Sequence, residues 1–156
     1  MTYKTGIVAE GKPGFARVKF ADLDNLVTQW LPVAHLKTKE DKTIFTLDEG
    51  EHVACLMDAV MEDGCIVGAI YSEVDVPPVS SPDKFRVQFK DGGSFEYDRL
   101  SGAMAVVAIG PVTVTAPNVT LQSPQVTCAG NLTVQGNVSV DGTVMDAAGN
   151  SNHHSH

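Results

Sequence analysis

Positive charge is scarce in this chain, and its scarcity removes a whole class of partners. Eleven Lys and Arg stand against nineteen Asp and Glu, a formal net charge of −8, whereas nucleic-acid binding draws its affinity from clustered basic side chains. Nucleic acid is therefore not expected as a partner, and the acidic balance reads as a solubility feature. Tryptophan is reduced to Trp30 alone, so the stacking platforms of single-strand-binding grooves are missing too. Three cysteines, Cys55, Cys65 and Cys128, are widely spaced and form no Cys-x-x-Cys pair. That excludes a disulfide framework and a zinc ribbon and leaves reduced, buried thiols. No apolar stretch follows a basic N-terminal start, and no apolar run approaches the length of a membrane-spanning helix. Synthesis and assembly in the cytoplasm are the expectation, wherever the protein finally acts. A nucleophile elbow, a P-loop and paired carboxylates are all missing, so no enzymatic activity is expected.

Charge itself nearly vanishes in the last third. From Gly102 to His156 the only charged side chains are Asp141 and Asp146, whereas the earlier part has the mixed surface of an ordinary globular domain. Up to Tyr71 the chain reads as short strands at Gly6–Ala9, Ala16–Phe20, Val27–Leu31, Glu51–Met57 and Cys65–Tyr71, most of them separated by Gly, Pro and Asp clusters. Five such strands predict a small OB-type barrel over residues 1–76. Val53, Cys55 and Met57 alternate toward one face, as do Cys65, Val67 and Ala69, and both sets are expected inside the barrel. Glu62-Asp63-Gly64 reads as a tight turn using a positive φ at the glycine, and Leu36–Asp48 as a polar loop. Residues 77–110 begin with the Pro-rich linker Pro77–Pro82. A hairpin follows, Phe85–Phe89 and Ser94–Tyr97 around Asp91-Gly92-Gly93, and then an apolar strand over Met104–Ile109.

The most informative tract is 111–148. Apolar pairs separated by one residue recur at Val112/Val114, Val119/Leu121, Val126/Cys128, Leu132/Val134 and Val138/Val140, stepping by seven, seven, six and six residues. Corner residues lie between them: Ala116-Pro117-Asn118, Ser123-Pro124-Gln125, Ala129-Gly130-Asn131, Gln135-Gly136-Asn137 and Asp141-Gly142. A short repeat of this kind means stacked strands whose pairs need neighbours to complete their burial. About five repeats would give a single-chain solenoid fewer than two coils, too little core. Three copies winding together collect the burial that one cannot, so the expectation is an intertwined triple-stranded β-helix in a homotrimer.

Residues 149–156 end in His154 and His156, whose spacing of two points both imidazoles the same way in an extended chain. In one chain this is half a site, or simply an exposed polar terminus or a cloning remnant. On a three-fold axis it becomes six imidazole nitrogens, the set for an octahedral transition metal such as iron. His153 lies out of phase, and His35 and His52 belong to the barrel as surface or structural residues. A metal joining three chains would tie ends that otherwise fray. Two rivals fit less well. An oligonucleotide- or oligosaccharide-binding barrel lacks its basic groove and aromatics, and a facial-triad metalloenzyme built with Asp146 would have no open coordination position left.

Taken in order, several segments resemble one family. They are Gly6-Ile7-Val8, Ala16-Arg17-Val18-Lys19-Phe20, Thr28-Gln29-Trp30-Leu31-Pro32, Asp48-Glu49-Gly50-Glu51-His52-Val53, Gly64–Tyr71, Phe95-Glu96-Tyr97-Asp98 and the closing Gly149–His156. Together they look like the baseplate assembly protein V family, the gpV-type central spikes of P2- and Mu-like contractile-tailed phages and of R-type bacteriocins. The resemblance covers nearly the whole chain. It implies an all-β protein with an OB-fold collar, a trimeric β-helix, and one iron ion per trimer held by His154 and His156 of three chains. It also implies a place in the virion at the tip of the tail baseplate, contact with the baseplate hub, and passage through the host outer membrane when the sheath contracts.

Overall fold

Alternation of buried and exposed side chains organises the first part of the chain. In the computed structural model, which describes residues 1–145, nine strands form in chain order: β1 Thr2–Lys12, β2 Phe15–Phe20, β3 Leu26–Val27, β4 Leu31–Pro32, β5 His52–Met57, β6 Gly64–Ala69, β7 Lys84–Gln88, β8 Ser94–Asp98 and β9 Met104–Val107. No helix occurs among the described residues, so the all-β expectation is borne out there. The chain divides after Pro111 into two units.

The first unit contains two sheets. The larger runs β3-β2-β1-β5-β6, with β4 also paired to β2. Just after β4, Val33 bridges Ile66 of β6 in parallel, and Ala34 N–H donates to the Ile66 carbonyl at 2.8 Å. The sheet thereby closes on itself through β4 and β6. Inside the ring Val8, Ala16, Val18, Phe20, Leu31, Val53, Cys55, Met57 and Ile66 form one buried cluster. Each large member contributes roughly 1.5 to 3 kcal/mol through its removal from water.

Several details of the larger sheet depart from the sequence expectation, each for a local reason. β1 is longer than Gly6–Ala9 because its first half pairs with β5 and its second with β2, so the ladder holds polar residues that the apolar pattern omits. The single strand expected at Val27–Leu31 is broken into β3 and β4. Thr28 is buried, and its hydroxyl oxygen accepts from Val18 N–H at 3.0 Å while its O–H donates to the Gln29 carbonyl at 2.7 Å. Thr28 N–H still donates to the Val18 carbonyl at 2.9 Å, but the Thr28 hydroxyl replaces a backbone acceptor for Val18 N–H, and strand pairing resumes only at Leu31.

The inward face of β6 is also the opposite of the one expected. Cys55 lies across from Ile66, and a register shift in the β5–β6 ladder leaves Val67 as the extra residue. Ile66 is buried, while Val67 and Ala69 are exposed and Cys65 is half-buried. In the β5–β6 turn the positive φ belongs to Met61 at 62°, not to the glycine. Gly64 is needed for space, since a Cβ there would press on the Leu56 carbonyl and come within 2.8 Å of Met57 Sδ.

The smaller sheet is β7-β8-β9. Its first turn is the expected Asp91-Gly92-Gly93, with Gly92 at φ 95° and the Asp91 carboxylate accepting from Gly93 N–H at 2.9 Å. Asp98 shapes the second turn, its carboxylate accepting from Leu100 N–H at 2.9 Å. The last strand stops at Val107, two residues before the expected end.

The second unit begins at Val112. Residues 112–145 contain no strand and are all exposed in the single chain. The backbone bends at Pro117, Pro124, Ala129-Gly130, Gln135-Gly136 and Asp141-Gly142, where the sequence places corners. At the second of these Ser123 Oγ accepts from Gln125 N–H at 3.2 Å and donates to the Gln125 carbonyl at 2.7 Å, fixing the bend around Pro124.

Candidate functional site

His154 and His156, the expected metal ligands, lie outside the described residues, as does Asp146. Among the described residues no three His, Cys, Asp or Glu side chains gather as a metal site. His52 opens β5, and its carbonyl accepts from Ile70 N–H at 2.8 Å. His35 follows the β4–β6 closure, with a buried Nε2 that has no hydrogen-bond partner.

The most extensive chemical feature that is described is apolar. All the aliphatic members of the repeated pairs, from Val112 to Val140, are between 48% and 77% exposed in one chain. The residues between the pair members are Thr113, Thr120, Thr127, Thr133 and Ser139, all hydroxyl side chains. In an extended strand these would face opposite to the apolar pairs. An extended segment here would thus carry one wholly apolar face and one uncharged polar face. Solvated chains rarely leave so much contiguous apolar surface without a partner.

Sequence reasoning passed over a second apolar surface. In the small sheet Phe85 lies opposite Tyr97, Val87 opposite Phe95, Phe95 opposite Val106 and Tyr97 opposite Met104, which puts all of them on one face. The other face pairs Lys84 with Asp98 and Arg86 with Glu96 across the β7–β8 ladder. There Lys84 Nζ and an Arg86 terminal nitrogen reach the Glu96 carboxylate at 2.7 and 2.8 Å. Hydrogen bonds from Lys84 and then Arg86 hold the Glu96 carboxyl below its ordinary value, and the same bond raises Lys84. Backbone N–H donors of Leu100 and Ser101 lower Asp98. The strict alternation of Lys84, Arg86 and Gln88 with Phe85, Val87 and Phe89 was the available signal.

A cleft of about 920 Å³ lined by Phe45, Tyr71, Pro78 and Arg86 among others also lies in the first unit. Phe45 and Phe89 stack beside it with centroids 6.3 Å apart, and Lys90 faces Asp48 at 3.7 Å. Of its two basic residues, Lys90 faces Asp48 and Arg86 is taken by Glu96, so the cleft holds no basic group free of a carboxylate partner.

The described residues thus comprise a small closed sheet, a second sheet with one apolar and one charged face, and an apolar repeat with its bends in place. No family model matches the chain. Over 168 aligned residues, covering 94% of this chain and 79% of the relative, it is 26% identical to the spike protein of Escherichia phage P2. The chain is therefore similar, along most of its length, to a phage spike.

Proposed function

We propose that three copies of this chain form the central spike of a contractile phage tail, a needle at the baseplate tip that is driven through the host outer membrane. The observation that carries this reading is the exposure of the apolar repeat. Burying each of those Val and Leu side chains would be worth roughly 1.5 to 3 kcal/mol, and a lone chain forgoes it. Winding three chains together recovers it, with the bends at Pro117, Pro124 and the later glycines serving as corners of a triple-stranded β-helix. The repeat shortens from seven residues to six after Cys128 while the corners change from Pro to Gly, as suits a shaft that narrows toward its end.

Three further points support the reading. The relative is itself a phage spike and aligns along the shaft as well as the barrel. The ring that closes through Val33 and Ile66, with one parallel contact in an otherwise antiparallel sheet, fits an OB-type collar, the part suited to meeting the baseplate hub. The His-x-His spacing fits the octahedral imidazole set of one iron ion per trimer. There His154 and His156 of three chains would lock the ends together. A bound iron would supply cross-linking rather than catalysis, with force coming from the sheath and the shaft transmitting it without bending or unwinding. Few charges along the shaft lower the cost of crossing hydrocarbon, where Lys, Arg and Asp are expensive.

Native mass spectrometry of the purified chain tests the reading. Three chains plus one iron-sized increment are expected, with the increment lost when His154 and His156 are both changed to Ala. A metal-free monomer at all concentrations would overturn the spike.

A further inference from the structure

We propose that the apolar face of the β7–β9 sheet is a contact between copies of this chain, buried by the same sheet of neighbouring copies; this rests on the trimeric reading above. The sheet is inside-out for a lone molecule. Its charged face is partly buried and internally neutralised by Lys84, Arg86 and Glu96, with side-chain exposures of 33%, 29% and 17%. On its apolar face Val87 and Phe95 are half-buried, but Phe85 (62%), Tyr97 (40%), Met104 (64%) and Val106 (64%) are left to water. One-sided antiparallel sheets ordinarily do the reverse.

Area and position select the occupant. An aromatic side chain buries about 150–250 Å² when fully covered, so the four residues leave on the order of 400 Å² per copy. That matches the largest apolar patch of a typical monomer, which is often a functional surface, yet it is only about half of the roughly 800 Å² per partner of a stable specific interface. A separate protein would find too little to hold, whereas a larger interface could include it. Val112, where the apolar repeat starts, follows Val107 by five positions, so copies that cover the repeat arrive with their own sheets close by in sequence. Each copy offers the same face, and a closed symmetric ring satisfies all of them at once.

Neighbouring residues on opposite faces provide the test. Val106 is on the apolar face and Val107, 48% exposed, is on the charged one. Both are open in the single chain, so Val106→Glu and Val107→Glu should leave the fold of the monomer intact. The oligomeric mass of full-length wild type and both variants is measured across a dilution series. V106E is expected to weaken association at least ten-fold, with V107E close to wild type. Hydroxyl-radical footprinting of the unmutated trimer gives a second readout: Met104 should be protected to under one-fifth of its rate in the unfolded chain while Tyr3 and Tyr71 stay reactive. A trimer in which V106E and V107E behave alike and Met104 labels freely overturns this proposal alone. A wild type that is monomeric at every concentration overturns the trimeric reading as well.

Discussion

Leu132 and Thr133 are neighbours in the apolar repeat, and substituting each separates the chain's behaviour alone from its behaviour in a trimer. Leu132 is 77% exposed in the single chain. Were that its functional state, Leu132→Ala would change stability by no more than about 0.5 kcal/mol, as exposed substitutions do. If Leu132 is a layer of a three-chain core, each copy loses about 2 to 5 kcal/mol, the usual range for a buried Leu→Ala. One substitution then removes three side chains at the same level, on the order of 6 to 15 kcal/mol per trimer if the copies contribute independently. Thr133→Ala removes an outward hydroxyl and should stay within about 0.5 kcal/mol. The assay is guanidinium-induced dissociation followed by size-exclusion chromatography, with the barrel monitored separately through Trp30 fluorescence. The trimer transition of L132A should move to much lower denaturant while the barrel transition stays put. Equal midpoints for L132A and T133A would refute the argument, because they would mean that position 132 is no more enclosed than position 133.

The barrel and the small sheet offer checks of their own. Thr28→Val leaves the buried Val18 N–H without its acceptor and should lower the barrel's stability by about 1 to 3 kcal/mol in chemical denaturation. Glu96 has a folded-state pKa depressed by Lys84 and Arg86, so its contribution is present above the unfolded value of about 4.3 and is lost as pH falls through the folded one. The hydrogen-exchange protection of residues 84–98, taken relative to the intrinsic exchange rate at each pH, should therefore fall as the pH drops below about 4.3, and Glu96→Gln should flatten that dependence. Cys55 is buried, with its thiol pushed up to about 11 chiefly by desolvation, and should resist alkylation at pH 8 until the barrel unfolds. Cys128 is exposed in the single chain; it should react quickly in dissociated chains and slowly in the trimer.

What the sequence made legible, and what it did not, follows from which forces act along one chain. The strands of the barrel could be read because Ala16, Val18 and Phe20, or Val53, Cys55 and Met57, mark an inner face by strict alternation. The face of β6 could not, since Cys65-Val67-Ala69 and Ile66-Gly68-Ile70 are both apolar. The register against β5 and the extra residue at Val67 made that choice, and register is a property of two strands. Thr28 escaped notice for the same reason: a buried hydroxyl becomes informative only once Val18 N–H is seen to need it. The apolar tract carries this logic further. Its corners at Pro117, Pro124 and Gly130 were legible because local backbone chemistry sets them, and the described chain bends there. In the proposed trimer, burial of Val112 through Val140 depends on groups that one chain does not possess. A repeat with its turns specified and its apolar faces exposed is what a sequence should look like when part of its folding free energy is reserved for assembly.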